Sequence, residues 1–322
     1  MSDFKGKFRG EYYINMGKKT GFEKSVFYSY LVKANFKEAL SYLKQFSEND
    51  EQYRKYEALF EKENYLKYDV DEYLNEILLI YQKYYREVFF LEENVNVAEE
   101  NMRTRFLKFF DIENRDMGLD EIEEEYVAKA FQKQRIEFLG GRTGGYYGPY
   151  IWRNTDVKKY EVELPDGIQE YEVKILEGFL SKSWLDYLSF GSVGTGGWTD
   201  GDGIINCVKE SYDFTSENFL VSLLKHEAQH VMDLKNYPKM TSEELEYRAK
   251  LVELIYSKER NLLRQFISEA DTSNVKNGHS LAASRIVEEF KKKHNGDITS
   301  CSLEDIQKIS KALFMESNEG MK

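Results

Sequence analysis

Leu223-Leu224-Lys225-His226-Glu227-Ala228-Gln229-His230-Val231 contains the pattern H-E-x-x-H and takes up two of the chain's four histidines. Residues four apart share a helix face, so the imidazoles of His226 and His230 can point at one metal ion. Glu227 then stands beside that ion, where a carboxylate can take a proton from water. The surrounding residues predict the helix this requires. Thr215 or Ser216 offers an N-cap, Phe219, Leu220, Leu223 and Leu224 are apolar at helical spacing, and Val231 and Leu234 continue the stripe until Asn236-Tyr237-Pro238 ends it. The plain alternative is a pair of core or surface histidines with Glu227 in a solvated ion pair.

A catalytic zinc needs a third protein ligand and one position left for water. Asp233 lies seven residues after His226, about 10.5 Å along a helix axis, too far to share an ion with it. The longer pattern H-E-x-x-H-x-x-G-x-x-H also fails, because Asp233 stands at its glycine and Asn236 at its last histidine. The next helix is the better source. It is predicted from about Ser242 to Lys258, opened by the capping-box pattern Thr241-Ser242-Glu243-Glu244. Leu245, Ala249, Val252 and Tyr256 mark its apolar stripe, widened by Leu251, Leu254 and Ile255. Glu246 borders that stripe and can point inward. Glu243 and Glu244 belong to the exposed first turn, and Glu253, two turns beyond Glu246, is the alternative inward carboxylate.

With His226, Glu227, His230 and Glu246, and with Ala249 as a small residue after the ligand, the chain resembles the gluzincin group of zinc metallopeptidases. The resemblance is one of motif and covers roughly residues 140 to 295. It implies a zincin fold: a small sheet above the active-site helix and helices below, with Zn2+ on His226, His230 and Glu246. Thermolysin-type members carry an Asp four residues after the ligand Glu, where this chain has Lys250. A second support for a ligand histidine must therefore come from elsewhere, with Asp233 as the candidate. Such enzymes also use a downstream histidine on the oxyanion, which points to His279 in Asn277-Gly278-His279-Ser280-Leu281, after the polar loop Asp271-Thr272-Ser273-Asn274. Tyr146, Tyr147 or Arg285 are alternatives for that role. Peptide deformylases join H-E-x-x-H to an upstream Cys, which keeps Cys207 as a competing ligand, although their characteristic Cys segment is absent here.

The residues before the motif fit a small sheet. Tyr160–Leu164 and Glu170–Leu176 alternate on either side of the turn Pro165-Asp166-Gly167. The glycine-rich stretch Gly191-Ser192-Val193-Gly194-Thr195-Gly196-Gly197-Trp198 and then Thr199-Asp200-Gly201-Asp202-Gly203 lead into the apolar run Ile204–Val208. Such a segment can let an extended peptide approach the backbone, or can be a flexible hairpin without a ligand. It lacks the spacing of a phosphate-binding loop.

The 322-residue chain has room for one large or two modest domains. Helices are predicted at 23–46, 51–63, 70–91, 97–110 and 119–139. The expected class is α+β and mostly helical, with a helical N-terminal region at 1–140 and a zincin-like catalytic domain at 141–322, divided at Gly140-Gly141-Arg142-Thr143-Gly144-Gly145. With 57 acidic against 45 basic residues the net charge is −12, which argues against nucleic acid as a partner. Cys207 and Cys301 are too few for a disulfide framework. No apolar run has the length of a membrane span, and Met1-Ser2-Asp3-Phe4-Lys5-Gly6-Lys7-Phe8-Arg9 lacks the pattern of a signal peptide, so a cytoplasmic location is expected. Two function classes follow. One is a zinc-dependent metallopeptidase acting on a peptide or protein substrate, with Glu227 as general base and His279 on the oxyanion. The other is a non-catalytic binding or regulatory protein on a zincin scaffold. An intact Glu227 favours the first, since a structural metal site needs no base.

Overall fold

The computed structural model describes residues 21–46, 49–199, 203–272, 277–294 and 296–319. Met1–Arg9, Asp200-Gly201-Asp202 and Ser273-Asn274, which entered the sequence reading, lie outside them. The architecture among the described residues is mixed α+β, dominated by helices with three small sheets. Among the described residues no helix is long and apolar enough to cross a membrane. There are two compact units. One runs to Thr155 and takes in Leu176–Thr195; the other comprises Asp156–Ile175 and the chain from Gly196.

The first unit contains helices α1 (Lys24–Val32), α2 (Phe36–Leu43), α3 (Asp50–Tyr56), α4 (Glu72–Tyr85), α5 (Val95–Phe109), α6 (Leu119–Ile122), α7 (Ala128–Gln132) and α8 (Ser183–Leu188). The helix expected over 23–46 is two helices, because Ala34 turns into the left-handed region with φ 59°. The helix expected over 119–139 likewise stops at Gln132. Arg135 takes φ 58°, the Ile136 N–H bonds back to the Phe131 carbonyl, and the chain leaves as a strand. That strand, β1 (Glu137–Leu139), pairs antiparallel with β4 (Tyr150–Trp152), which pairs with β7 (Ser181–Lys182); β2 (Arg142–Thr143) and β3 (Tyr146–Tyr147) form a two-stranded ribbon between β1 and β4 in sequence. These pairings place the glycines at 140–145 inside the first unit rather than at its edge. The core is strongly aromatic, with Phe27, Phe36, Tyr56, Phe60, Tyr81, Tyr84, Phe106 and Phe131 buried.

The second unit holds a four-stranded sheet in the order β5 (Asn154–Leu164), β6 (Gly167–Glu177), β9 (Ile205–Val208), β8 (Gly197–Thr199), so that β8 is an edge strand. Strands β5 and β6 flank the expected turn, and Gly167 there has φ 129°, a conformation other residues resist. The motif helix begins with a short turn, α9 (Glu217–Phe219), capped by the Ser216 hydroxyl, which accepts the Phe219 N–H at 3.2 Å. It continues as a π-helical segment, Leu220–Lys225, and then as α10 (His226–Asn236). After it come α11 (Ser242–Tyr256), α12 (Asn261–Glu269), α13 (Gly278–Lys293) and α14 (Leu303–Glu319). Thr241 and Glu244 make the capping box that opens α11.

Helix α11 is the pillar of this unit, packed against α10, α13 and α14. Its residues from Glu246 to Leu254 are buried without interruption. The sequence suggested one apolar stripe, yet the structure surrounds the helix, so four charged residues are taken out of water. Each has a partner, as burial of charge demands. Glu246 meets histidines, Arg248 meets Asp233, Lys250 meets Glu269 and Glu253 meets His226.

Candidate metal centre

Helix α10 presents His226 and His230 on one face, and α11 presents Glu246 to them. The His226 and His230 Nε2 atoms lie 2.9 Å apart, and the Glu246 carboxylate lies 3.4 Å from the first and 3.6 Å from the second. One ligand atom from each residue falls within 4.8 Å of the others. Two imidazole nitrogens and a carboxylate oxygen, all largely buried, are a donor set that suits Zn2+ and leaves a position open. Burial pushes the Glu246 carboxyl up, but the imidazoles of His279, His226 and His230 outweigh it and hold that carboxyl well below the usual range. That direction favours the ionised form a ligand must have.

The support around this set differs from the sequence expectation. His226 Nδ1 lies 2.6 Å from Glu253 Oε1, with the two side chains 1% and 2% exposed. Glu253, weighed as an alternative ligand, thus holds the far nitrogen of His226 and leaves Nε2 facing Glu246 and His230. Asp233 does not take that part. It accepts Arg248 Nε at 2.9 Å and Gln229 Nε2 at 2.9 Å, tying α10 to α11 one turn beyond His230. Arg248 further donates to Ser317 and Asn318 on α14, each at 2.6 Å. Lys250, at the position where thermolysin-type enzymes carry an Asp, donates instead to Glu269 at 2.7 Å.

Glu227 is buried next to His226, and its Oε2 accepts the Thr199 hydroxyl of β8 at 2.8 Å. His279, at the start of α13, is brought to the same site: its Nδ1 is 2.7 Å from Glu246 Oε2, and its Nε2 is a buried atom with no hydrogen-bond partner among the described residues. The Asn277 side chain caps this helix by accepting the Ser280 N–H at 3.3 Å. Tyr146 and Tyr147, the phenols weighed for the role of His279, belong to the first unit. There Tyr147 donates to Asp120 at 2.6 Å, while Tyr146 packs on Phe89 and Trp184. Arg285 lies over the Tyr247 ring at 4.0 Å. Cys207 is a buried free thiol in β9, pushed up to about 12 by burial, and is not among the gathered ligand atoms.

Sequence reasoning thus selected the residues that gather here but assigned no role to Thr199 and weighed Glu253 only as an alternative ligand, not as the partner of His226 Nδ1. The signal for Glu253 was present: seven residues separate it from Glu246, two turns of the same face. Nothing local to Thr199 announces its contact. Compared with protein-family models, with curated proteins and with solved structures, the chain finds no match.

Proposed function

We propose that the protein is a zinc-dependent metallopeptidase of gluzincin type, built on a zincin-like core in which β8 borders the motif helix. The observation that carries this reading is the convergence of His226, His230 and Glu246 from two helices, with the buried Glu227 following His226 in α10. Zinc held by these three groups would supply Lewis-acid polarisation of a carbonyl and acidify water. Glu227 takes a proton at its carboxylate and returns it to the leaving amine. Glu253 keeps His226 in the tautomer whose Nε2 carries the lone pair. His279, anchored through Nδ1 on Glu246, turns Nε2 toward the developing oxyanion.

Metal analysis and a peptide-library cleavage assay test the reading together. Purified protein carries about one zinc per chain, Glu246→Ala loses most of it, and Cys207→Ser keeps it. Glu227→Gln retains zinc and fold but loses roughly 10²–10⁴-fold in rate. Zinc retention by Glu246→Ala would overturn the ligand assignment. Failure of the zinc-loaded protein to cut any peptide would favour the binding or regulatory scaffold.

A further inference from the structure

The glycine-bearing ribbon β8–β9 lies unusually close to the motif helix, at points on both sides of the H-E-x-x-H residues. A Cβ added to Gly197 would stand 2.6 Å from the Asn206 carbonyl oxygen of the paired strand and 2.6 Å from Cδ1 of Leu223, three residues before His226. Gly203 has φ 81°, and a Cβ there would stand 2.9 Å from Cγ1 of Val231, the residue after His230. Neither position accepts a side chain without a shift of the ribbon, the helix or the facing residue. Between these two approaches Thr199, opposite Ile205 in the register, extends its hydroxyl to Glu227 Oε2 at 2.8 Å.

We propose that this ribbon is a brace for the general base, and that Thr199 is the positioning residue that selects the working rotamer of Glu227. The proposal rests on the hydrolase reading of the same site. A glutamate has three side-chain torsions, and a base that wanders among rotamers spends little time where proton transfer occurs. The charge-assisted bond to Oε2 narrows that freedom at the carboxylate that takes the proton. Threonine suits the task because β-branching restricts χ1, so the hydroxyl is aimed before it meets the carboxylate. The two glycines set the distance across which it reaches. They thereby gain a reason that needs neither a flexible hairpin nor a phosphate.

The test uses the full-length zinc-loaded protein. Thr199→Val keeps the shape without the donor; it should lower kcat by roughly 10–100-fold with KM and zinc affinity within about threefold of wild type. Thr199→Ser restores the donor and should recover most of kcat. Unchanged kcat in Thr199→Val, a change confined to KM, or no recovery in Thr199→Ser overturns the proposal. A second measurement does not depend on turnover. In denaturant unfolding of the metal-free protein, the midpoint shift caused by Thr199→Val should largely vanish in a Glu227→Ala background, because the bond is already gone. Additive shifts overturn the brace. If the wild type itself cleaves nothing, the hydrolase reading fails, while the unfolding cycle still decides whether Thr199 holds Glu227.

Discussion

If His226, His230 and Glu246 hold the metal as proposed, replacing Glu253 should weaken its binding although Glu253 is not one of the three. Its Oε1 lies 2.6 Å from His226 Nδ1, and both side chains are almost wholly buried. A buried hydrogen bond to a charged group contributes about 1.5–3 kcal/mol, and removing one partner leaves the other without water to replace it. At about 1.4 kcal/mol per factor of ten, this corresponds to roughly 10–100-fold in zinc affinity, the range seen when the outer partner of a ligand histidine is removed. Glu253→Gln keeps an oxygen that can accept from Nδ1–H but loses the charge, so it belongs near about tenfold. Glu253→Ala loses both and strands the imidazole N–H, so it belongs near about a hundredfold and should also lower unfolding stability. Competition against a chromophoric chelator at fixed pH measures the affinity, and denaturant unfolding of the metal-free protein measures the stability. Zinc affinity within about twofold of wild type in Glu253→Ala would refute the reasoning, since the tautomer of His226 would then be held by something else.

Three other perturbations probe the rest of the molecule. Arg248→Met leaves Asp233 buried without its cation and should cost about 3–5 kcal/mol in denaturant unfolding, much of it recovered by Asp233→Leu in the same chain; a loss under about 1 kcal/mol would contradict the pairing. His279→Ala should keep zinc and substrate binding while lowering kcat by about 10²–10³, and an unchanged kcat in steady-state assays would pass the oxyanion to Arg285 or a tyrosine. In the first unit, burial pushes the Glu123 carboxyl up to about 8, even though Tyr81 donates to it at 2.5 Å and the Gly141 N–H at 2.7 Å. The folded state therefore holds a proton that the unfolded chain releases near 4.5. This contribution to stability is complete at acid pH and is lost as the pH rises toward about 8. Unfolding of wild type and Glu123→Gln across that window should show the decline in wild type alone, and parallel curves would refute it.

Local pattern in the chain was enough to locate the motif helix and its cap to within Thr215 or Ser216, the capping box at Thr241, the β5–β6 turn and an inward Glu246. Each depends on residues within one or two turns, or on the alternation of a single strand, and needs no knowledge of what lies across the core. The same reasoning overran at Ala34 and Arg135, where a non-glycine residue takes positive φ and the chain changes direction, which propensity alone does not register. The partners of the site were beyond it. Glu253 meets His226 across 27 residues, Thr199 meets Glu227 across 28, and Arg248 meets Asp233 across 15. Such contacts are set by how α10 crosses α11 and how closely the glycines let β8 approach. By itself, then, the sequence determined the apolar stripe of each helix and the alternation of each strand, but not that α11 would be buried all round with Arg248 and Lys250 inside. Tertiary packing decided which side chains meet, because a buried charge is stable only where another element supplies its partner.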